Sequence, residues 1–167
     1  MARRTGSGGG GSTPAVAAAR RAGIPHAVHR YDVAERQEEG YGAEAAARLG
    51  LDPAVVHKTL VTATAPGRLA VAVVPVSGQL DLRALARALG ARRAHLADPA
   101  EAARVTGYVL GGISPLGQRT ALTTVVDEGA LAHPTIFVSA GRRGLEIELD
   151  PHDLVRLTGA TVAAIAG

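Results

Sequence analysis

The 167-residue chain is 47% hydrophobic, which suits one compact domain with a single core. It has no cysteine, so a disulfide framework, a thiolate metal site and a cysteine nucleophile are excluded. With three Tyr, one Phe and no Trp, a base-stacking reader of single-stranded nucleic acid is disfavoured. The net charge of +3 is compatible with docking one end of an RNA and equally with no such partner.

Residues 1–12 form a leader rich in Gly and Ser that has nothing to bury. We expect the leader to be disordered and one folded domain to occupy 13–167. The leader lacks the apolar run of a signal peptide, and the longest apolar stretch, 69–76, is too short to span a bilayer. A soluble, cytoplasmic protein is therefore expected.

Capping residues, turn residues and apolar runs divide the rest of the chain into short elements. In chain order we expect a helix over 14–22, a strand over 26–32, a helix over 43–49, a hairpin of strands over 57–64 and 69–76, a helix over 82–89, a strand over 92–97, a helix over 99–105, strands over 108–110, 122–127, 135–139 and 145–149, a helix from Pro151 and a short strand over 161–164. Strands outnumber helices, and both hairpins and crossovers occur. The predicted fold class is therefore α/β, with a mixed, curled or barrel-like sheet and helices packed outside it.

Lys58 is the only lysine in the chain, since the other 17 basic residues are all Arg. Lysine differs from arginine because it carries a compact charge and shifts its pKa readily when it is desolvated. Lys58 lies inside the apolar run VVHKTLV, where an unpaired charge is costly to bury. We interpret it as a functional group; a charge that protects an edge strand from aggregation is the alternative. Both strand faces are apolar, so alternation does not show which one lines a site.

Two glycine-containing loops are further candidates. In GGISPLG, at 111–117, the amides of Gly111 and Gly112 would be able to approach an anion or a developing oxyanion, although a wide turn explains the spacing as well. The second loop follows Ser139 and leads to a strand in which acidic and apolar residues alternate. Glu146, the acid nearest the loop, is either a partner for a ligand's amino group or part of a solvated acidic face.

Metal and serine-hydrolase motifs are absent from the sequence. The six His show neither H-x-x-x-H nor H-E-x-x-H spacing, and no nucleophile elbow is present. Tyr31 shares a strand face with His29, where a structural pair is the commoner outcome. We expect no metal ion and no cofactor.

Five segments carry a resemblance to a known family: VHRY at 28–31, HKTL at 57–60, VAVVPVSGQLDL at 71–82, TGYVLGGISPLGQ at 106–118 and VSAGRRGLEIEL at 138–149. By these segments the chain resembles the YbaK/EbsC family, which is related to the editing domain inserted in bacterial prolyl-tRNA synthetases. The combination of GGISPLG with SAGRRGLEIEL resembles the YbaK branch in particular. The resemblance runs from Thr13 almost to the C-terminus.

The resemblance implies a mixed α/β, barrel-like fold and an aminoacyl-tRNA deacylase that edits Cys-tRNA(Pro) in trans. Under it, the family's lysine is Lys58, and the family's binding pocket falls on Tyr31, Tyr41, Thr59, Gly111, Ser139 and Glu146. Tyr41 stands where Phe is usual and Glu146 where Asp is usual. Selectivity for the amino acid is therefore left open.

The family mechanism has the thiol of the cysteinyl substrate attack its own ester, which releases a thiolactone. The net reaction is hydrolysis, and the first step is of the lyase type. Lys58 would orient the terminal ribose or phosphate, while the amides of Gly111 and Gly112 would face the carbonyl oxygen.

The partner that the resemblance implies is the acceptor end of aminoacyl-tRNA, and neither a membrane nor DNA is expected as a partner. Whether prolyl-tRNA synthetase also takes part stays open. The alternatives are a deacylase for another mischarged tRNA, such as Ala-tRNA(Pro), and a non-catalytic regulator of the same fold.

Overall fold

The computed structural model describes residues 12–33, 40–65 and 67–167. The elements in chain order are α1 (Pro14–Ala22), β1 (His26–Arg30), α2 (Tyr41–Leu49), β2 (His57–Thr64), β3 (Arg68–Pro75), α3 (Leu82–Leu89), β4 (Ala94–Leu96), α4 (Pro99–Thr106), β5 (Thr123–Asp127), a 3-10 helix (Glu128–Ala132), β6 (Ile136–Arg142), β7 (Leu145–Leu149), α5 (Pro151–Thr158) and β8 (Thr161–Ala163). Apart from Ser12, the leader at 1–12 lies outside the described residues, so its disorder and the domain boundary stay predictions.

Helix caps explain why most helices begin and end where the sequence indicates. Side-chain oxygens of Thr13, Asp81, Asp98 and Asp150 accept hydrogen bonds from first-turn amides of α1, α3, α4 and α5. The helix α2 differs, because it follows Gly40 without any side-chain cap and begins two residues before the predicted start. Its early start places Tyr41 on the helix.

The strands within the described residues form two sheets. One is antiparallel with the order β1-β7-β6, and the other is mixed with the order β4-β2-β3-β5-β8. The predicted hairpin is confirmed as β2 and β3, in which Lys58 lies opposite Val74. The α/β class and the mixed pairing agree with the sequence interpretation, whereas the barrel-like curl stays a prediction.

The two sheets meet at the start of β2. Val56 forms a parallel bridge with Phe137 of β6. The Phe137 amide donates to the Val55 carbonyl at 2.9 Å, and the Val76 amide donates to the Val56 carbonyl at 2.8 Å. The two residues just before β2 therefore lie beside both β6 and the segment that follows β3.

Strand alternation directs side chains of β2 and β3 into two separate apolar clusters. On one face Val61, Val71 and Val73 join the large cluster that also holds the inner face of the three-stranded sheet. On the other face, Leu60 and Val74 pack against the cluster that contains Leu85 of α3. Lys58 lies two residues from Leu60 and so shares the face that α3 covers.

The predicted strand over 108–110 is wrong. Tyr108 is buried and its hydroxyl donates to the Leu116 carbonyl at 2.6 Å, which holds the chain in a turn. The Gly112 amide then donates to the Val109 carbonyl at 2.9 Å. Val109 and Leu110 are 71% and 60% exposed, so the apolar run at this point is not a buried strand.

The carboxylate of Asp127 fastens the end of the chain to β5. The Asp127 side chain is 6% exposed; its Oδ1 accepts from the amides of Ile165 and Ala166 at 3.0 Å each, and its Oδ2 accepts from the Gly129 amide at 3.0 Å.

Asp127→Ala leaves these donors without an acceptor, so we expect the free energy of unfolding to fall by about 3 kcal/mol. Urea denaturation measures the change. Glu128→Ala removes an equal charge from an exposed neighbour, and a loss as large in that control contradicts the role of Asp127.

Candidate active site

A pocket of about 240 Å³ opens at the junction of the two sheets. It is lined by Gly40, Tyr41, Gly42 and Ala43 at the start of α2, by His57, Lys58, Thr59 and Leu60 of β2, by Val76, by Leu110, Gly111 and Ile113 of the glycine loop, by Ser139 of β6 and by Glu146 of β7. Residues far apart in the sequence thus share one cavity because β2 adjoins both sheets.

Six of the eight site residues expected from the sequence line this pocket: Lys58, Tyr41, Thr59, Gly111, Ser139 and Glu146. Tyr31 and Gly112 do not line it. The Tyr31 amide donates to the Gly144 carbonyl at 3.0 Å. Burial is the larger cause, and the charge of Glu146 the second, that raises the pKa of Tyr31 to about 12. Tyr31 is therefore a protonated phenol at neutral pH, close enough to Glu146 to feel its charge.

The structure corrects the expectation for the Gly112 amide. That amide donates to the Val109 carbonyl, so the turn itself uses it. A Cβ at Gly112 would lie 2.8 Å from the Arg142 Cα, which shows that the glycine permits close packing of two backbones. The Gly111 amide has no acceptor in the part of the chain that the structure describes, so Gly111 is the better candidate donor.

Lys58 enters the pocket from β2 between aliphatic neighbours. Its side chain is half-buried, and Leu60 and Val76 line the same cavity. Among the described residues Lys58 forms no ion pair. β4 pairs only with the far end of β2, from Thr62 to Thr64, so pairing alone does not exclude the edge-strand alternative. Its place in the pocket favours a functional role.

The Tyr41 ring forms a fixed wall of the pocket. The Arg143 guanidinium lies 5.3 Å from the ring centroid and binds the Glu44 carboxylate through two hydrogen bonds, of 2.9 and 2.7 Å. On the loop side, a Cβ at Gly111 would lie 2.9 Å from ring carbon Cε1, and the φ of Gly111 is +92°. Only glycine fits at position 111 without displacing the ring.

Buried polar atoms without hydrogen-bond partners concentrate at this pocket. Within 12–33, 40–65 and 67–167 these side-chain atoms are His29 Nδ1, His57 Nε2, Thr59 Oγ1 and Glu146 Oε2. Three of the four residues line the cavity. Because buried polar groups are nearly always hydrogen-bonded in folded proteins, the cluster indicates a site built for a polar ligand.

Glu146 lies in the middle of a polar row that crosses the three-stranded sheet. It is paired with His29 of β1 and Ser139 of β6, and it is only 6% exposed. Burial raises the pKa of Glu146 to about 8, so the carboxyl group is largely protonated at neutral pH. The solvated acidic face considered for this strand is therefore wrong at Glu146.

The neighbouring groups hold the row in place. Glu148 accepts from the Thr135 hydroxyl at 2.6 Å and lies 3.0 Å from His29 Nε2, while the Ser139 hydroxyl oxygen accepts from the Gly141 amide at 3.1 Å. No hydrogen bond joins the Ser139 hydroxyl to a base within the described residues. Ser139 is thus positioned as a polar contact and not as an activated nucleophile.

His57 is a pocket residue that the sequence analysis did not select. Its Nδ1 bonds the Val55 carbonyl at 3.1 Å, its Nε2 has no partner, and burial lowers its pKa. Glu44 and Arg143 do not line the pocket, and their contact with each other and with Tyr41 was not predicted, although Tyr41 and Glu44 are spaced to share one face of a helix. The sequence did not reveal this spacing because α2 has no side-chain cap to mark its start at Tyr41.

Within the described residues no three His, Cys, Asp or Glu side chains are arranged to hold a metal ion. None of the helices there is both long and apolar enough to cross a membrane.

Comparison with known proteins identifies the family. Residues 38–157 match the model of the aminoacyl-tRNA editing domain. Over 129 residues the chain is 37% identical to the Enterococcus faecalis protein named "Putative Cys-tRNA(Pro)/Cys-tRNA(Cys) deacylase EbsC", with 77% of this chain and 79% of that protein covered.

Solved structures agree with this match. A crystal structure of a hypothetical protein has a TM-score of 0.81 and 26% identity, with 93% of this chain and 100% of that chain covered. The crystal structure of a "putative trans-editing enzyme for prolyl tRNA synthetase" has a TM-score of 0.79 and 27% identity, with 92% and 95% covered. The chain therefore belongs to the YbaK/EbsC family of aminoacyl-tRNA editing domains, whose substrates are aminoacyl-tRNAs.

Proposed function

We propose that this protein is a trans-editing deacylase that removes cysteine from Cys-tRNA(Pro) with the help of the substrate's own thiol. The observation that carries the proposal is the chemistry of the pocket: an ammonium group without an ion-pair partner in the described residues, a buried carboxyl group with a free oxygen, and no activated nucleophile among the lining side chains. Such a site can bind and orient an aminoacyl ester, while the attacking atom comes from elsewhere.

Lys58 holds the nucleic-acid side of the substrate. The terminal ribose and phosphate are the polar and anionic parts of an aminoacyl-tRNA end, and a compact ammonium among aliphatic side chains binds an anion strongly because water is excluded. In the pocket, Lys58 fixes the ester bond relative to the Gly111 amide, which faces the carbonyl oxygen as negative charge develops there.

Glu146 and Thr59 receive the α-amino group. A free α-amino group has a pKa of about 7.7–8.0, close to the value of about 8 that burial gives Glu146. When the substrate ammonium enters, it stabilises the carboxylate, so Glu146 releases its proton as the pair forms. Thr59 Oγ1 supplies a further hydrogen-bonding group without a competing partner.

The reaction then needs little more than geometry. The cysteinyl sulfur forms a bond to the ester carbonyl carbon, the bond from that carbon to the ribose oxygen breaks, and the thiol proton ends on the ribose hydroxyl. The products are free tRNA and a cyclic thiolactone, which water opens to cysteine. Orientation of this kind supplies up to about 7–11 kcal/mol in intramolecular reactions. The enzyme step is of the lyase type and the overall change is hydrolysis.

In this proposal prolyl-tRNA synthetase is the partner that selects tRNA(Pro). The name of a structural relative, a "putative trans-editing enzyme for prolyl tRNA synthetase", supports such a partner.

The deciding experiment compares ester substrates. We expect the purified protein to release free tRNA from Cys-tRNA(Pro) at least about 100-fold faster than from Ser-tRNA(Pro) or Ala-tRNA(Pro), because only cysteine brings a thiol. Acid gels that separate charged from free tRNA measure the rates. Equal rates on the three esters indicate an attacking water and a deacylase of broader range, and binding without release indicates a non-catalytic regulator.

Substitution of the lysine tests its positioning role. Lys58→Ala and Lys58→Arg are expected to lower the rate constant for release by about 100-fold, because the planar guanidinium cannot reproduce a compact ammonium in this cavity. Thermal denaturation should show that both variants stay folded. Arg68→Ala, at the opposite end of the same hairpin, is the control and keeps full activity. Normal turnover by Lys58→Arg contradicts the proposal.

The buried Glu146 carboxyl makes stability depend on pH. Its pKa rises from 4.5 to about 8 on folding, so between these values the folded protein holds a proton that the unfolded chain releases. The free energy of unfolding therefore falls as the pH rises from about 4.5 to 8, and the loss is complete above that window. Glu146→Gln removes this titration, and we expect a smaller fall in urea unfolding between pH 5 and 8.

The same variant tests the amino-group contact. Gln cannot become anionic, so the KM for Cys-tRNA(Pro) should rise about tenfold. Glu128→Gln, at an exposed position, is the matched control for both measurements. An unchanged pH slope in Glu146→Gln shows that this carboxyl titrates normally in the folded protein.

A further inference from the structure

The basic charge of the chain is concentrated in one short segment. Residues 81–96 contain Arg83, Arg87, Arg92 and Arg93 but only one acid, Asp81, so four positive charges and one negative charge give +3. The whole chain also has a net charge of +3. The remaining residues are therefore neutral in sum, and this segment accounts for the net positive charge.

The fold gathers these arginines into a groove. Arg83 and Arg87 lie one helical turn apart on α3, and Arg92 and Arg93 lead into β4; together they line a groove of about 500 Å³. A smaller hollow of about 250 Å³, lined by Arg92, Arg93 and His95, continues it. Among the described residues, no Asp or Glu lines either one. We call these two connected surfaces the arginine groove.

The arginines of the groove are not neutralised by their own surroundings. All four are exposed, and none forms an ion pair within the described residues. The nearest acid in sequence, Asp81, accepts hydrogen bonds from the amides of Arg83 and Ala84 as the helix cap. The groove therefore attracts anions, and its guanidinium groups match the geometry of phosphates.

Strand β2 connects the groove with the pocket. Lys58 lies near the start of β2, and just past its end the Ala65 amide donates to the Arg93 carbonyl at 3.2 Å. Seven residues at about 3.3 Å each separate the two sites by about 23 Å. At about 3.4 Å per stacked nucleotide, that distance corresponds to about seven nucleotides.

Lys58 and α3 also lie on the same face of the five-stranded sheet. Lys58 shares its strand face with Leu60, and Leu60 packs against the cluster that holds Leu85 of α3. A phosphate bound at Lys58 would therefore be on the face of the sheet that carries α3, the helix from which Arg83 and Arg87 project.

We propose that the arginine groove binds backbone phosphates of the acceptor arm whose aminoacylated end occupies the pocket. This inference rests on the proposed function, because that function puts an RNA end at Lys58. Contacts to phosphate fix register and carry no base information, which agrees with a chain that has only three Tyr, one Phe and no Trp. An acidic protein surface would also be attracted, but the tether at Lys58 favours RNA.

The test compares the double variant Arg92→Ala/Arg93→Ala with the control Arg20→Ala/Arg21→Ala, which removes an exposed pair from the last turn of α1. For uncharged tRNA(Pro) at 0.1 M salt, we expect the groove variant to raise Kd about tenfold and to make the slope of log K against log salt shallower by about 1.5. The KM for Cys-tRNA(Pro) should rise equally with kcat unchanged. The control should match the unmodified protein.

A short substrate separates the groove from the pocket. The cysteinyl ester of the trinucleotide CCA reaches Lys58 but not the arginine groove, so the groove variant should cleave it normally. Arg83→Ala/Arg87→Ala repeats the test on the helix side, where alanine keeps the helix stable. Unchanged tRNA affinity in both variants overturns the inference, and so does an equal loss on the trinucleotide ester.

Two further outcomes separate RNA binding at the groove from catalysis in the pocket and from protein binding. If the unmodified protein cleaves no ester yet loses tRNA affinity on Arg92→Ala/Arg93→Ala, the proposed function fails while the groove stands as an RNA site. If tRNA affinity is kept while affinity for purified prolyl-tRNA synthetase is lost, the groove binds protein and the inference is overturned.

Discussion

Two backbone hydrogen bonds, from Phe137 to Val55 and from Val76 to Val56, join the residues just before β2 to β6 of the three-stranded sheet and to the segment after β3. Lys58 follows two residues after Val56, and Ser139 follows two residues after Phe137. The ammonium of one sheet and the polar row of the other therefore face a common cavity. Neither sheet alone contains a complete site, so the position of this junction determines which groups a ligand meets.

The polar groups at the junction remain incompletely satisfied in the described part of the fold. Each buried donor or acceptor without a partner costs about 1–3 kcal/mol, and the surrounding aliphatic packing maintains that arrangement. A ligand that supplies an anion for Lys58 and a hydrogen-bonding amine for Glu146 recovers this energy on binding. This agrees with the proposed function, because an aminoacyl ester of an RNA end carries both groups.

Local signals in the sequence predict much of the fold and several site residues. The capping pairs at 98–99 and 150–151 locate two helices, the Pro-Gly turn locates the β2–β3 hairpin, and the single lysine singles out position 58. Long-range packing is not encoded in such signals. The apolar segment 108–110 resembles a strand by composition, whereas its turn depends on the hydrogen bond from the Tyr108 hydroxyl to the Leu116 carbonyl, which composition does not show.

The burial of Glu146 likewise depends on neighbours from two other strands, so its alternating context suggests solvent where the fold provides none. The contact between Arg143 and Glu44 joins residues almost one hundred positions apart, and nothing local distinguishes either one. Composition reveals the excess of arginine, but only the packing of α3 beside β4 shows that four of them share one groove.

The clamped Tyr41 ring has a consequence for discrimination among amino acids. Because the Arg143 guanidinium and the Gly111 backbone both lie close to the ring, Tyr41 has little room to give way to a bulkier side chain. A rigid sieve rejects molecules that are too large but admits smaller ones, and one methylene changes binding by only about 10–200-fold. Under the proposed function, a wall of this kind would admit alanine and serine as readily as cysteine, so reactivity rather than size would distinguish the three.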